Sequence, residues 1–213
     1  MLKLHHLGHS QSERIVWLLE ELELPYELVR YTRDPITILS PPELKQLHPL
    51  GEAPLIEDGE LLMAESAAIV EYIIVKHGSG RLRPRPEQTD YAEFLYWFHF
   101  SNGSLQPEMG RLMALSHLKL PSDNSMQAWV LARLHRLMAF VEARLGESAY
   151  LAGDNFTAAD IMIVFSLTTM RLFQPLDLEQ YPHIRAYLIR IGERPAYRRA
   201  LAKGDPDLTP MLR

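Results

Sequence analysis

The polar turn Gly8-His9-Ser10-Gln11-Ser12 holds one of two groups of side chains suited to chemistry. It precedes a segment from Glu13 in which apolar residues recur every three and four positions, as in a helix. A hydroxyl at a helix N-terminus can stabilise an anion, because the free N–H groups and the helix dipole there favour negative charge. Ser10 has no evident triad partner, so it is a candidate hydrogen-bond donor and not a nucleophile.

The second group lies in GEAPLIEDGELLMAES, residues 51–66, where two apolar runs flank the turn-forming pair Asp58-Gly59. Pro54 opens the first run, although proline cannot donate to a sheet ladder. It is either a trans proline at the first residue of a strand or a specified cis proline. Glu65-Ser66 begins the next helical segment. Ser66 can therefore act as an N-cap or as part of an anion-binding site.

The composition excludes several kinds of chemistry. The 213 residues include no cysteine, which removes disulfides, thiolate metal sites and a cysteine nucleophile. His5, His6 and His9 lie close together, but strand alternation places His5 and His6 on opposite faces and no HExxH motif occurs, so we predict no metal site. A net charge of −5 without a basic cluster argues against nucleic-acid binding. With no apolar run near about 18 residues and no signal-peptide core, a cytoplasmic protein is predicted.

The hydrophobic pattern divides the chain into two domains. Residues 1–77 show strand and helix signals in the order β-α-β-α-β-β-α, which predicts an α/β sheet with a parallel first pair and an antiparallel hairpin. Residues 78–87 are rich in Gly, Pro and Arg and are typical of a linker. Residues 88–213 are predicted to form an all-helical domain. Its expected helices are 91–118 (with kink sites at Gly103, Pro107 and Gly110), 126–145, 157–173 and 181–194, the last ended by Pro195.

A capping box opens the third of these helices. In FTAADI, residues 156–161, Thr157 can accept from the backbone of Asp160, and the Asp160 carboxylate can accept from the backbone of Thr157. The helix that follows is apolar nearly all round, which predicts a buried core helix. We therefore expect this motif to be structural and not catalytic.

The sequence resembles the cytosolic-type glutathione S-transferases, and among them the fungal and bacterial branch related to the yeast enzymes. The similar segments are HSQSERIVWLLEELELPYE, HPLGEAPLIEDGELLMAES, NGSLQP and FTAADI, in order and at family spacing over essentially the whole chain. The resemblance implies a thioredoxin-like N-terminal domain and a helical C-terminal domain. It also implies a homodimer that uses glutathione as cosubstrate for detoxification, with no metal or other cofactor.

The resemblance gives roles to the second group of residues. Pro54 is implied to be the cis-proline of the thioredoxin-like fold, which turns the backbone of Ala53 toward the cysteinyl backbone of glutathione. Ser66 is implied to hold the γ-glutamyl carboxylate through its hydroxyl and N–H. Glu65 is implied to pair with the γ-glutamyl ammonium.

Two positions depart from the family pattern. Glu52 stands where Lys, Arg or Gln often lies near the glycine carboxylate of glutathione, so either it points to solvent or Lys45, His48 or Arg33 compensates for its charge. Asn102 stands where the related branch usually has an acid before Gly-Ser. Both departures bear on glutathione affinity, and the residue that holds the glycine carboxylate stays open.

The family stabilises the glutathione thiolate with Tyr, Ser or Cys at the start of the first helix. Cysteine is absent and no tyrosine precedes Tyr26, whereas Ser10 followed by Arg14 matches the serine type, S-Q-x-x-R. Ser10 is therefore the first candidate. Ser12 is the second, with an N-cap as its alternative role. His9 is the third, and backbone N–H groups alone are a further possibility.

The electrophile is expected between the domains, against the long helix. Five apolar residues are candidates for its pocket, although a stripe at helical spacing also suits a core or a dimer interface: Tyr96, Trp97, Phe100, Met109 and Met113. Two apolar rows on the helix from residue 67 suggest that one covers the sheet and the other meets a partner subunit: Ala67, Val70 and Ile74, and Ile69 and Ile73.

The leading hypothesis is a transferase that joins the glutathione thiolate to small apolar electrophiles. Peroxidase, isomerase or dehalogenase activity on the same thiolate is an alternative within the enzymes. A glutathione-transferase-like protein kept for binding or regulation is the non-enzyme alternative. Glu52 and the absence of one clear thiolate-stabilising hydroxyl slightly favour the non-enzyme alternative, whereas Pro54, Glu65 and Ser66 argue against it. No residue pattern names one electrophile.

Overall fold

The computed structural model describes residues 1–118, 120–121 and 123–213. Within residues 1–77 the strands and helices follow the predicted order. These elements are β1 (Leu2–Leu7), α1 (Glu13–Glu21), β2 (Tyr26–Tyr31), α2 (Pro42–Leu47), β3 (Leu55–Asp58), β4 (Leu61–Met63) and α3 (Ser66–Lys76). The remaining α-helices are α4 (Tyr91–Phe100), α5 (Gln106–Ser116), α6 (Ser125–Glu147), α7 (Ala158–Leu167), α8 (Pro182–Glu193) and α9 (Pro195–Gly204).

The sheet has the strand order β2-β1-β3-β4. β1 pairs with β2 in parallel, β3 runs antiparallel to β1, and β4 completes an antiparallel hairpin with β3. The predicted mixed sheet is therefore confirmed. Side-chain alternation along β1 sends His5 toward Tyr31 and Glu57, while His6 points to the opposite face.

The chain forms two compact units, and their composition differs from the predicted domains. The first unit contains Met1–Arg81 and Glu193–Thr209, and the second contains Leu82–Gly192 and Pro210–Arg213. The hydrophobic pattern predicts one helical domain over residues 88–213. A C-terminal segment of that range instead belongs with the sheet.

The helix α9 in that segment was not predicted, because Pro195 was treated only as the end of the preceding helix. Pro195 occupies the first turn of α9, where its missing N–H costs nothing. α9 packs against α1: the rings of Trp17 and Tyr197 meet edge to face at 4.9 Å. Beside them, Arg194 makes a bidentate pair with Glu21 at 2.7 and 2.8 Å.

Both apolar rows of α3 are largely covered. Ile69, Val70, Ile73 and Ile74 are all at most 1% exposed. Four of the five residues in the two rows are therefore buried within the single chain, and the fifth, Ala67, is partly exposed. The homodimer remains a prediction of the family resemblance.

In the second unit, α4 and α5 are joined without a break by a π-helical segment, Ser101–Leu105, which contains Gly103 and Asn102. Of the three predicted kink sites, Gly103 lies in this π-segment, a recognised cause of bending, whereas Pro107 and Gly110 lie within α5. α7 is buried along its whole length, as predicted. It ends at Leu167, before the predicted end, because Thr168 leaves helical geometry and a 3₁₀ turn, Thr169–Leu172, follows.

The capping box at the start of α7 is confirmed. The Thr157 N–H donates to Asp160 Oδ2 at 2.9 Å, and the Thr157 hydroxyl accepts from the first turn of the helix. Asp160 also accepts from the Leu151 N–H at 3.1 Å and from the Tyr187 hydroxyl at 3.0 Å. Burial raises the pKa of Asp160 to about 6, against the opposing effect of these donors. Asp160 therefore links the segment at Leu151, the start of α7 and Tyr187 of α8 by hydrogen bonds.

No helix in the described part of the chain combines the length and apolar character needed to cross a membrane.

Candidate functional site

A recess in the first unit brings together most of the residues predicted to bind glutathione. Its lining consists of Gln11, His48, Leu50, Glu52, Ala53, Pro54, Ala64, Glu65 and Ser66. These residues lie at the start of α1, before and at the start of β3, and at the start of α3. The Ala53–Pro54 peptide bond is cis. Glu65 has a left-handed backbone conformation, φ 70°, as the chain turns from β4 into α3.

A buried cation lies behind this recess. Arg14 has no exposed surface, and its Nη1 donates to Ser66 Oγ at 3.0 Å and to Gln11 Oε1 at 2.8 Å. Burial lowers the pKa of Arg14 to about 9, while the charge of Glu13 acts in the opposite direction. The guanidinium and the N-terminus of α3 both place positive potential at Ser66.

Sequence reasoning used Arg14 only as part of the S-Q-x-x-R pattern and gave Gln11 no role. The available signal was a charged side chain between Glu13 and Ile15 on the apolar face of an amphipathic helix. Such a residue is buried only when other groups satisfy it, which points to a polar centre beneath the helix.

The hydroxyls of Ser10 and Ser12 face each other inside the polar turn. Ser10 Oγ lies 2.7 Å from both Leu7 O and Ser12 Oγ, so its single proton can donate to either. Ser12 occupies the N-cap position, but its hydroxyl accepts from the Leu7 N–H and makes no cap hydrogen bond to the helix. Ser12 is 0% exposed and Ser10 is 7% exposed. Ser10 is thus the more exposed of the two, but neither serine is among the residues that line the recess.

His9 adopts a left-handed conformation, φ 53°, and its side chain is 44% exposed. Its N–H donates to Asp205 Oδ1 at 2.9 Å. The other carboxylate oxygen of Asp205 lies 3.1 Å from His6 Nε2. The pKa of Asp205 lies below its usual value. Burial alone would raise this pKa, but the interactions with His6 outweigh that effect. Sequence reasoning missed Asp205, because it is nearly 200 positions from the turn.

Lys45 and Arg33, two of the basic residues predicted to offset the charge of Glu52 near the glycine carboxylate, are not among the residues that line the recess. Lys45 is exposed and does not line the recess; its side chain lies against Gly51, where a Cβ would collide with it. Arg33 donates to Gly8 O at 3.3 Å and His9 O at 3.2 Å, beside the polar turn. His48 is the basic candidate that shares the recess with Glu52.

The predicted electrophile residues lie in the second unit and differ in exposure. Trp97, Phe100 and Met109 are at most 6% exposed, and Trp97 stacks on Phe140 with ring centroids 5.1 Å apart. These three side chains belong to the core of the unit, as the alternative interpretation of the stripe anticipated. Tyr96 is 52% exposed and Met113 is partly exposed.

In the part of the chain that the structure describes, no group of three His, Asp or Glu residues is arranged to hold a metal ion.

Comparison with known proteins agrees with this architecture. Residues 1–74 match the family model for the glutathione S-transferase N-terminal domain, and residues 107–195 match the model for the C-terminal domain. The chain belongs to the glutathione S-transferase family. This glutathione S-transferase homologue is 33% identical over 218 residues to glutathione S-transferase 3 of Schizosaccharomyces pombe, with 95% of this chain and 88% of the relative covered.

Two further similarities extend over nearly the same length. The family member is 32% identical to glutathione S-transferase 1 of Saccharomyces cerevisiae over 218 residues, with 92% of each chain covered. Among solved structures, a glutathione S-transferase from Actinobacillus pleuropneumoniae superposes with a TM-score of 0.88 at 32% identity, with 96% of this chain and 93% of that chain covered. The thioredoxin-like fold and the helical second half are thus those of the family.

Proposed function

We propose that this protein is a glutathione transferase that conjugates the glutathione thiolate to small apolar electrophiles. The observation that carries the proposal is the recess, in which Ala53, cis Pro54, Glu65 and Ser66 line one surface beside the start of α1. An extended tripeptide can pair with the Ala53 backbone, place its γ-glutamyl carboxylate at Ser66 and its ammonium at Glu65.

The chemistry requires a thiolate near neutral pH. A cysteine thiol has a pKa of about 8.5, and lowering it by two units requires about 2.7 kcal/mol. A hydrogen bond to a charged group contributes about 1.5–3 kcal/mol, and a helix N-terminus about 0.3–1 kcal/mol. Ser10, at the start of α1, supplies both if its hydroxyl turns from Leu7 O to the sulfur.

Replacing Ser10 with alanine is expected to raise the pKa of the bound glutathione thiol by about 1–2 units, because one charge-assisted hydrogen bond is lost. The measurement is a pH titration of thiolate absorbance in the enzyme–glutathione complex. The wild-type complex is expected to show a thiol pKa at least about one unit below that of free glutathione.

Three results would separate the alternatives. An unshifted thiol pKa in the wild-type complex would overturn the transferase proposal and favour a glutathione-binding protein without catalysis. A lowered pKa that survives Ser10→Ala would transfer the role to the backbone N–H groups, His9 or, after rearrangement, Ser12. A panel of electrophiles, peroxides and haloalkanes then separates conjugation from peroxidase, isomerase or dehalogenase activity.

Glu52→Gln is expected to lower the glutathione KM about two- to fivefold, because an exposed carboxylate in the recess repels the glycine carboxylate. Glu60→Gln, in the exposed hairpin turn of the same unit, is the matched control. The difference should shrink as salt is added. A KM that rises in Glu52→Gln would show that Glu52 contributes to binding instead of opposing it.

Under the same proposal the accessible side chains Tyr96 and Met113 are the first candidates for contact with the electrophile. The resemblance further predicts a cytoplasmic homodimer, which gel filtration of the purified chain would test through its apparent mass.

A further inference from the structure

A line of close polar contacts runs from Ser10 into the interior of the first unit. Ser10 Oγ lies 2.7 Å from Ser12 Oγ, and Ser12 Oγ lies 2.8 Å from His6 Nδ1. Across the imidazole ring, His6 Nε2 lies 3.1 Å from Asp205 Oδ2. Residues from β1, the polar turn and the segment after α9 thus form one continuous line of close polar contacts, in which the first two are hydrogen bonds and the last is an ion-pair contact between His6 and the Asp205 carboxylate.

We propose that this path removes the proton of the glutathione thiol, with His6 as its final acceptor and Asp205 as the positioning residue for the imidazole. The inference rests on the proposed function and adds to it the destination of the proton. The S–H bond breaks as Ser10 accepts the proton and passes its own to Ser12, and Ser12 passes its own to His6 Nδ1. The products are a thiolate beside the Ser10 hydroxyl and an imidazolium beside the Asp205 carboxylate.

The contacts suit this direction of transfer. The lowered pKa of Asp205 keeps its carboxylate ionised, and an ionised carboxylate accepts only. It therefore favours the neutral His6 tautomer with a proton on Nε2, which leaves Nδ1 free to accept from Ser12. Ser12 Oγ in turn accepts from the Leu7 N–H, and its own proton has two acceptors within reach: His6 Nδ1 at 2.8 Å and Leu7 O at 3.1 Å. The contact with His6 is the shorter of the two.

Close packing holds the imidazole and the carboxylate away from water. The side chain of His6 is 0% exposed and that of Asp205 is 4% exposed. A Cβ at Gly204 would lie 3.2 Å from His6 Nε2, and a Cβ at Gly8 would lie 3.3 Å from Asp205 Oδ1. Both distances are tight, so the two glycines allow the backbone to close over the pair.

Two other charged or titratable groups face this pair. His9 Nε2 lies 4.0 Å from Asp205 Oδ1, and the Arg33 guanidinium interacts with the Asp205 charge while donating to the Gly8 carbonyl. Both interact with the carboxylate, and the His9 imidazole is itself able to accept a proton, so the histidine spectra below must distinguish the His9 signals from those of His6.

The first test uses the unmodified protein with ¹⁵N-labelled histidine. Ring-nitrogen NMR spectra are compared at neutral pH for the free protein, its glutathione complex and its S-methylglutathione complex. Glutathione is expected to move the His6 Nδ1 signal into the range of protonated imidazole nitrogens. S-methylglutathione, which has no thiol proton, should leave the signal where it is in the free protein. Identical His6 signals in the two complexes would overturn the relay.

The second test compares Asp205→Asn with Asp207→Asn, a nearby exposed carboxylate in the same unit. Asp205→Asn is expected to raise the apparent pKa of the bound thiol by about one unit, which is a roughly tenfold smaller acid dissociation constant, with glutathione binding retained. Asp207→Asn should match the wild type. The urea unfolding midpoint is measured alongside, because a purely structural role would lower the midpoint and leave the thiol pKa unchanged.

The outcomes separate the two proposals. A wild-type complex with a normal thiol pKa refutes the proposed function itself. A lowered wild-type pKa that is unchanged in Asp205→Asn refutes only the relay. If Asp205→Asn does not fold, the histidine spectra of the wild-type complexes decide alone.

Discussion

Asp160→Ala is expected to reduce the free energy of unfolding by about 3–5 kcal/mol, the largest stability effect that we predict. The carboxylate accepts from the Leu151 N–H, the Thr157 N–H and the Tyr187 hydroxyl, all within 3.1 Å. Each of these donors is buried, and leaving a buried donor unsatisfied costs about 1–3 kcal/mol. Urea unfolding of the full chain, followed by circular dichroism, measures the difference.

Two variants calibrate that result. Asp154→Ala removes an exposed carboxylate from the loop just before α7 and is expected to stay within about 0.5 kcal/mol of the wild type. Asp160→Asn keeps one acceptor oxygen and should fall between the wild type and Asp160→Ala. If Asp160→Ala unfolds at the same urea concentration as Asp154→Ala, the carboxylate does not organise the second unit.

Arg14→Met is expected to raise the glutathione KM roughly 10- to 100-fold, the largest functional effect that we predict outside the thiolate site. Hydrogen bonds that involve a charged group contribute about 1.5–3 kcal/mol, and about 1.4 kcal/mol corresponds to a factor of ten in binding. The guanidinium donates to Ser66 and Gln11 at the end of the recess proposed for the γ-glutamyl carboxylate. Steady-state kinetics with varied glutathione give the KM.

Binding and stability are measured separately in this variant. Methionine fills much of the same volume but leaves Ser66 Oγ and Gln11 Oε1 without the Arg14 donor, so we expect the free energy of unfolding to fall by about 1–3 kcal/mol. The KM is therefore measured where urea unfolding shows that both proteins are folded. Arg30→Met removes an exposed arginine from β2 and serves as the control. A KM within twofold of the wild type in Arg14→Met would show that the buried charge serves only the packing of α1.

The sequence was sufficient to predict the sheet, because each element carries a local signal. Alternation marks β1 and β2, Asp58-Gly59 marks the hairpin, and FTAADI marks the start of α7. α9 was missed because Pro195 fits both the end of one helix and the start of the next, and local propensity does not choose between them. The end of α7 was missed because Thr168 is compatible with a helix in isolation, whereas its observed conformation depends on its surroundings.

The residues that line the recess could be predicted from the sequence, but the buried residues that hold them in place could not. Pro54, Glu65 and Ser66 are recognisable from their positions at the ends of elements and from family spacing. Arg14 and Asp205 act through burial and through contacts between distant parts of the chain, which periodicity does not reveal. Exposure could not be predicted either: Trp97 and Met109 belong to the same helical stripe as Tyr96, yet they are buried.

The pairing of α9 with α1 has a consequence for synthesis of the chain. Translation delivers residues 1–81 first, yet the first unit also requires residues 193–209, and the His9–Asp205 hydrogen bond spans 196 positions. Residues 82–192 of the second unit are therefore synthesised before α9 can cover Trp17. During that interval the face of α1 that contains Trp17 stays uncovered, and forming contacts over such a sequence separation favours slow completion of the fold.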